Sequence, residues 1–328
     1  MEPSRPAPSA LRIAVICGGA SAEAGVSRKS AHEVAQALRA SFAEVHEFEL
    51  DGQQLYQRLA QFRPDVVFPV LHGPPGEDGT LQGFLEVLGL PYVGSSVCAS
   101  ACAMNKYVAK QLYRAVGLPV ARDMLLPRHD TDVRQAAQHL FEQFPSGAVV
   151  KPVDQGSAIG VAFATQPAEI EEALRNCYGV SSAALVEERI NGREITAGVL
   201  ELDAMVPLPV IEIRPIGGWY DFEHRYAVGG SEHVIPAPID AQAYAAVQDI
   251  AVRAHAALGC RDLSRSDFLV GEDGTVTLLE TNTLPGMTAT SLYPDAARAA
   301  GISFEQLVRD LALKAYGRWT SVSGSSLP

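Results

Sequence analysis

The stretch "IAVICGGASAEAGVSRKSAHEVAQAL", Ile13 to Leu38, constrains the fold more than any other. An apolar run, a glycine turn and an amphipathic segment follow one another without a break. Ala31, Val34, Ala35 and Leu38 fall at the helical spacing i, i+3, i+4, i+7, with Ser27 as the expected N-cap. "DVVFPVLHG" reads as a second buried strand and "GTLQGFLEVLGL" as the helix after it. Strands that alternate with helices predict a parallel sheet covered on both faces. The chain should therefore open with a Rossmann-like α/β block running to about Ser96.

Downstream the pattern changes. A helix is predicted from Asn105 to Val116, stopped by Gly117 and Pro119. "GAVVKPVDQGSAIGVAFAT" reads as strand, glycine turn, strand, and Pro167 to Asn176 as a helix. That helix leads into "ALVEERI", and from there the chain is rich in strands: "REITAGVLEL", "VPLPVIEI", "DFLV" and "TVTLLET". Helices are expected in "AYAAVQDIAVRAHAALG" and "SFEQLVRDLALKAY". The class is α/β with α+β subdomains, and 328 residues suffice for two or three of them.

Charge narrows the partners. With 26 basic and 38 acidic residues the net charge is −12, which argues against wholesale binding of nucleic acid or anionic membrane. It leaves room for a local basic pocket. The five cysteines (Cys17, Cys98, Cys102, Cys177, Cys260) are odd in number, and no pair forms a metal-type CxxC. They read as reduced thiols of a cytoplasmic protein. The Pro-rich start "MEPSRPAPSA" is expected to be disordered. "LRIAVIC" contains Arg12 and is too short for a signal peptide or a membrane span.

The chemistry concentrates in "RSDFLVGEDGTVTLLETNTLPGM". A hairpin with the four-residue loop "GEDG" would place Val270 opposite Thr275, Asp267 opposite Leu278 and Arg265 opposite Glu280. Arg265, Asp267, Glu280 and Asn282 then share one face. Two carboxylates and an amide oxygen are hard ligands suited to Mg²⁺. The other reading is an Arg265–Glu280 ion pair with Asp267 in solvent.

Elsewhere the signals are weaker. "KPVDQGSAIG" could fold backbone N–H groups over phosphate, or be an ordinary hairpin turn. It is not a Walker loop, because its lysine precedes the glycines. Lys106 and Lys151 are candidate phosphate cations. Glu187, Glu188 and Glu194 in "VEERINGRE" lie either on a solvated face or in a nucleotide cleft between domains. "GGASAE" and "HGPPGEDG" follow predicted strands, at the sheet edge where ligands bind. Glu23, His72 and Glu77 are thereby placed to hold an amine or a carboxylate, although His72 could equally be satisfied by backbone.

In this order the pieces resemble the D-alanine–D-alanine ligases of the ATP-grasp superfamily, from about Leu11 to Tyr316. The specific stretches are "HGPPGEDGTLQG", "GLPYVGSS", "EIRPIGGWYDFEHRY" and "RSDFLV…LLETNTLPGMT". The resemblance implies an ATP-grasp fold with an N-terminal substrate-binding subdomain (11–98), a central subdomain (99–186) and a C-terminal catalytic subdomain (187–317), between tails 1–10 and 318–328. It implies ATP-dependent joining of two D-alanines through an acyl phosphate, for peptidoglycan. Related ligases using D-serine or D-lactate, or serving a dedicated biosynthetic pathway, are the alternative.

Residue roles follow from the same resemblance. Asp267, Glu280 and Asn282 match metal ligands for two Mg²⁺, with Mn²⁺ as a substitute. Lys106 and Lys151 match phosphate lysines, and Gly156 and Ser157 the phosphate loop. Glu187, Glu188 and Ile190 match the adenine hinge, and Glu194 the ribose contact. Glu23, Ser157 and Tyr226 match the first-substrate network. Arg265 and Gly286 match the oxyanion groups, while Ser291 and Leu292 match the second-substrate site; His72 is kept as a further substrate-binding residue. A homodimer is implied.

Three positions depart from the family pattern: Gly25 where a second acid is usual, Arg225 where lysine is common, and Ala158 where a second serine is common. Gly25 is expected to weaken the hold on the first substrate's ammonium, because the negative potential of a nearby acid is lost and glycine loosens the turn that carries Glu23.

Overall fold

The computed structural model describes residues 7–19, 23–215 and 231–323. The segment 217–230 with Arg225 and Tyr226, which the resemblance implies closes over the site, lies outside the described residues. Three sheets organise the chain.

The first sheet is parallel, in the order β2-β1-β3, from β1 (Arg12–Cys17), β2 (Glu44–Glu49) and β3 (Val66–Pro69). Helices α1 (Ala24–Leu38), α2 (Gln53–Phe62) and α3 (Thr80–Val87) follow the three strands in turn. Both faces are apolar, as the unbroken runs "IAVIC" and "VVFP" require. The edge strand β2, "EVHEFE", carries so many charges that its sequence does not announce a strand.

Ser27 does not cap α1. Glu23 occupies the N-cap position, and buried Ser27 lies inside the first turns. Its hydroxyl accepts from Gly18 N (2.9 Å) and donates to Val70 O (2.7 Å), stitching the β1 turn to the end of β3.

The next two helices, α4 (Val97–Met104) and α5 (Lys106–Ala115), meet at Asn105, whose side chain accepts from Val108 N at 3.1 Å and caps α5. The second sheet, in the order β4-β7-β5-β6, is antiparallel: β4 (Asp123–Pro127), β5 (Ala148–Pro152), β6 (Ala162–Ala164) and β7 (Ala183–Glu188). Helices α6 (Val133–Gln143) and α7 (Pro167–Cys177) cover it with a core of their own.

The third sheet runs β11-β10-β8-β12-β13, with β9 paired to β8. Its strands are β8 (Arg193–Glu201), β9 (Met205–Pro207), β10 (Ile211–Pro215), β11 (Ser231–Val234), β12 (Leu263–Val270) and β13 (Val276–Asn282). Helix α8 (Ala241–Leu258) is capped by Asp240, which accepts from Gln242 N and Ala243 N, and is ended by left-handed Gly259. Helices α9 (Leu292–Ala299) and α10 (Phe304–Ser323) close the chain.

Core membership redraws the expected boundaries. One core joins the first sheet and α1 to α9, α10 and a face of the third sheet. The opposite face of the third sheet packs on α4, α5 and α8. Residues 97–115 thus pack with the C-terminal sheet, not the central one. A break between 186 and 187 would cut β7, which ends at Glu188. At the termini, Pro8–Ala10 form a 3-10 turn inside the stretch expected to be disordered. Helix α10 runs past the expected start of the tail, and Arg318 is held by Asp262 and by Tyr92 O. Among the described residues no helix is long and apolar enough to cross a membrane.

Candidate functional site

A cleft of about 540 Å³ opens where the three sheets converge. Glu23, His72, Lys106, Gly156, Ser157, Arg265, Glu280, Asn282, Gly286, Ser291 and Leu292 all line it. These residues span most of the sequence, and only the fold brings them together.

The β12–β13 hairpin supplies the centre. Its loop is one residue longer than expected, so Val270 pairs with Val276, not Thr275. A bulge at Leu279 then shifts the register again: Asp267 lies opposite Glu280 and Arg265 opposite Asn282. The expected pairs were wrong, yet the two shifts cancel in parity and all four side chains share a face. The opposite face of the hairpin carries Ser266 and Thr281, whose hydroxyls meet at 2.8 Å.

The Arg265–Glu280 ion pair is not formed. Arg265 makes a two-pronged contact with Asp267 (Nε–Oδ1 and Nη2–Oδ2, both 2.9 Å). Thr196 Oγ1 donates to Asp267 Oδ1 at 2.6 Å. Glu280 instead meets Lys106 Nζ at 3.1 Å, and Lys106 also donates to Gln155 O at 2.7 Å. Asn282 Oδ1 accepts from Leu284 N at 3.1 Å, which fixes the loop beyond the strand.

The glycine segment is no tight hairpin turn. β5 and β6 pair, but residues 153–161 between them form a long excursion. Ser157 and Ala158 adopt the left-handed region (φ 51° and 58°), which non-glycine residues seldom occupy. This conformation presents Ser157 Oγ as donor to Glu23 Oε1, tying the central sheet to the N-terminal one.

Beside Glu23, the "HGPPGEDG" segment folds on itself. Gly73 (φ 67°) donates its N–H to Glu77 Oε2 at 2.5 Å. Burial pushes the Glu77 carboxyl up to about 8, aided by the charge of Glu23. His72 is buried and its Nε2 finds no partner among the described residues, so the backbone-satisfied reading does not hold. Burial also lowers its pKa, which favours the neutral ring.

Near the second-substrate residues, Ser291 is the N-cap of α9, and its Oγ meets the hydroxyl of Thr288 at 2.7 Å. A Cβ on Gly286 would lie 3.1 Å from that oxygen, so glycine keeps the approach open. His233 and Asp295 also line the cleft, joined at 2.8 Å from Nδ1 to Oδ2. No local pattern announces them, because β11 and α9 are distant in sequence.

Asp267 and the remaining expected residues lie outside the lining of this cleft. Glu187 is buried, which removes the solvated-face reading for it. Lys151 and Lys110 each contact one of its oxygens at 2.6 Å. Burial alone would raise its pKa, but the two ammonium groups outweigh this and hold it below the ordinary carboxylate value. Glu188 is half-buried and accepts from Arg122 N (3.0 Å) and Nε (2.8 Å). Ile190 is half-buried in the connection from β7 to β8. Glu194 lies two residues before Thr196, on the strand face that meets Asp267. Lys110 was missed, although it sits one helical turn beyond Lys106 on the same face of α5.

Comparison with known proteins agrees with this architecture. Residues 49–95 match the model of the "D-ala D-ala ligase N-terminus" family and residues 112–312 that of the "D-ala D-ala ligase C-terminus". The D-alanine–D-alanine ligase of Pelotomaculum thermopropionicum is 40% identical over 304 residues, covering 92% of this chain and 95% of that protein. That of Agrobacterium fabrum is 44% identical over 305 residues, covering 90% and 95%. Among solved structures, the Coxiella burnetii enzyme superposes with a TM-score of 0.82 at 28% identity, over 96% of this chain and 97% of that one. The Bacillus anthracis enzyme, solved in complex with ATP, gives 0.80 at 29% identity, over 96% and 100%. On the family models and the near-full-length relatives together, the chain belongs to the D-alanine–D-alanine ligase family.

Proposed function

We propose that this chain joins two D-alanines into D-alanyl-D-alanine at the expense of ATP, by way of an acyl phosphate. One observation carries the reading. A single cleft brings together a carboxylate (Glu23), cations and hard oxygen donors (Lys106, Arg265, Glu280, Asn282), and the start of α9 (Ser291, Leu292).

The chemistry suits those groups. Glu23, fixed by Ser157, would hold the ammonium of the first D-alanine. Arg265 would face the oxygens of its activated carboxyl. The N-terminus of α9 would take the carboxylate of the second, since unpaired helical N–H groups favour anions. Lys106 and Lys151 would neutralise phosphate oxygens, and Gly156 and Ser157 would wrap them. Glu187, Glu188, Ile190 and Glu194 would seat the adenosine. Closure of the lid over the cleft, with Tyr226 in it, would keep water from the acyl phosphate.

Asp267, Glu280 and Asn282 fit divalent cations by their chemistry. Two carboxylates and an amide oxygen gather on one strand face, and no cluster of three or more acidic, imidazole or thiol groups is arranged as a complete cage among the described residues. Such a partial set leaves positions for phosphate oxygens, the habit of Mg²⁺. When bound, two Mg²⁺ (or Mn²⁺) would supply charge neutralisation on the transferred phosphoryl group.

The test is ADP release with D-alanine, followed by mass spectrometry of the product from D-alanine, D-serine and D-lactate supplied together. D-alanyl-D-alanine should dominate; a mixed peptide or depsipeptide as main product would replace this reading with the related-ligase alternative. On the resemblance alone, we further propose a cytoplasmic homodimer, which light scattering checks.

A further inference from the structure

Lys110 is the most deeply buried ammonium in the described structure, and no step above uses it. It projects from α5, which packs with the C-terminal sheet. Its Nζ lies 2.6 Å from Glu187 Oε1 on β7 and 2.9 Å from Asp123 Oδ2 on β4. Those two acids stand directly opposite each other in the central sheet. Like charges in that relation repel; Lys110 bridges the two acids, and Arg114 Nη2 also meets Asp123 Oδ2.

Glu187 is shared. Lys110 holds one oxygen, and Lys151 holds the other at 2.6 Å. The two lysines differ in access: the Lys110 side chain is 2% exposed and the Lys151 side chain 10%. Lys151 is the more exposed of the two. If it left Glu187 with no other cation present, a buried carboxylate would be stranded, a strongly unfavourable state. With Lys110 in place, Glu187 stays compensated whichever way Lys151 turns.

We infer that Lys110 is a positioning residue for the nucleotide end of the site: it holds Glu187 so that Lys151 is free to engage a phosphate of ATP. The inference rests on the proposed role of Lys151 as a phosphate ligand. It also gives the central sheet a fixed pivot, since Lys110 ties β4 and β7 to a helix of another core.

A double-mutant cycle tests it on the full-length protein. Lys110→Met should raise the KM for ATP about tenfold while the KM for D-alanine stays within about twofold. In a Glu187→Gln background the same change should alter the KM for ATP by less than about twofold, because no buried carboxylate then pins Lys151. Lys110→Arg, which keeps the charge, should recover most of the loss. An equal rise in both KM values, an unchanged KM for ATP, or a tenfold effect in both backgrounds overturns the inference. Should Lys110→Met fail to fold, Lys110→Gln keeps a donor without the charge; about a threefold rise confined to ATP is then expected, and none overturns it. Lys151→Met separates the two ideas. If it leaves the KM for ATP unchanged, the proposed role of Lys151 fails; if it raises that KM and Lys110→Met does not, only the role of Lys110 fails.

Discussion

Asp267 and Glu280 face each other across β12 and β13, two carboxylates in direct cross-strand register. The bulge at Leu279 puts them there. Continued from the Val270–Val276 pair without it, the ladder would bring Glu280 to Ser266, on the other face. Opposed like charges destabilise a sheet, and here Arg265 and Lys106 offset them from either side. In the proposed metal site, a divalent ion would share the charge that these two cations now offset.

Neutralising either acid should stop turnover and spare the fold. Asp267→Asn and Glu280→Gln keep shape and volume while removing an anionic ligand. A fall in ADP formation of at least about 10²-fold is expected, comparable to losing one electrostatic stabiliser of a transition state. Circular dichroism should show an unchanged secondary structure. Wild-type turnover by Glu280→Gln at ordinary magnesium would sink the metal assignment.

The Ser157–Glu23 contact should matter for one substrate only. Ser157→Ala keeps the backbone nearly intact and deletes the donor that fixes the carboxylate. A hydrogen bond to a charged group contributes about 1.5–3 kcal/mol, so the KM for the first D-alanine should rise about tenfold or more. The KM for ATP should move by less than about threefold if the loop keeps its shape. Steady-state kinetics with each substrate varied in turn distinguishes this from general loosening of the 153–161 segment, which would raise both.

Much of this was legible in the sequence, for physical reasons that differ by region. Buried parallel strands are continuous apolar runs, so β1 and β3 were plain, whereas β2 was hidden by its charges. The shared face of Arg265, Asp267, Glu280 and Asn282 survived an incorrect register because strand periodicity is two and two slips cancel. Ser27 looked like a cap because serine favours that position, yet its hydroxyl was committed to Gly18 and Val70, a tertiary choice that local rules do not contain. The run "VEERI" carries a weaker signal: the pairing of β7 with β4 and β5 shows a strand that continues through Glu188, past the expected subdomain boundary at 187. Lys110 and the His233–Asp295 pair needed the packed structure.

The raised carboxyl of Glu77 should leave a mark on stability. Its pKa lies at about 8 in the folded protein, against an ordinary carboxyl value of 4.5. Below 4.5 the group is protonated in both states and contributes no pH dependence. Between 4.5 and 8 the unfolded chain releases the proton and the folded chain keeps it, so stability falls as pH rises through this window, then levels. Glu77→Gln retains an acceptor for Gly73 N and does not titrate. Its Tm should therefore gain on wild type as pH rises from about 5 to 8. Parallel melting curves across that range would mean that Glu77 ionises normally.

Gly25 offers the sharpest test of how the first substrate is held. It is the second residue of α1, inside the first turn that Ser27 N–H closes onto Glu23 O at 2.9 Å. A Cβ at Gly25 would meet nothing within 4 Å, and no left-handed backbone requires glycine at that place. Gly25→Glu should be tolerated and should stabilise the helix twice over. Replacing glycine inside a helix contributes roughly 0.5–1 kcal/mol, and an acid in the first turn adds about 0.3–1 kcal/mol against the helix dipole. The new charge also strengthens the negative potential near Glu23. Tm should rise by a few degrees, and the KM for the first D-alanine should fall about two- to fivefold while the KM for ATP stays put. If Tm rises and the KM for D-alanine does not fall, the acid usual at this position serves the helix and not the substrate. If that KM rises instead, the added charge competes with Glu23 for the ammonium and pulls it out of line.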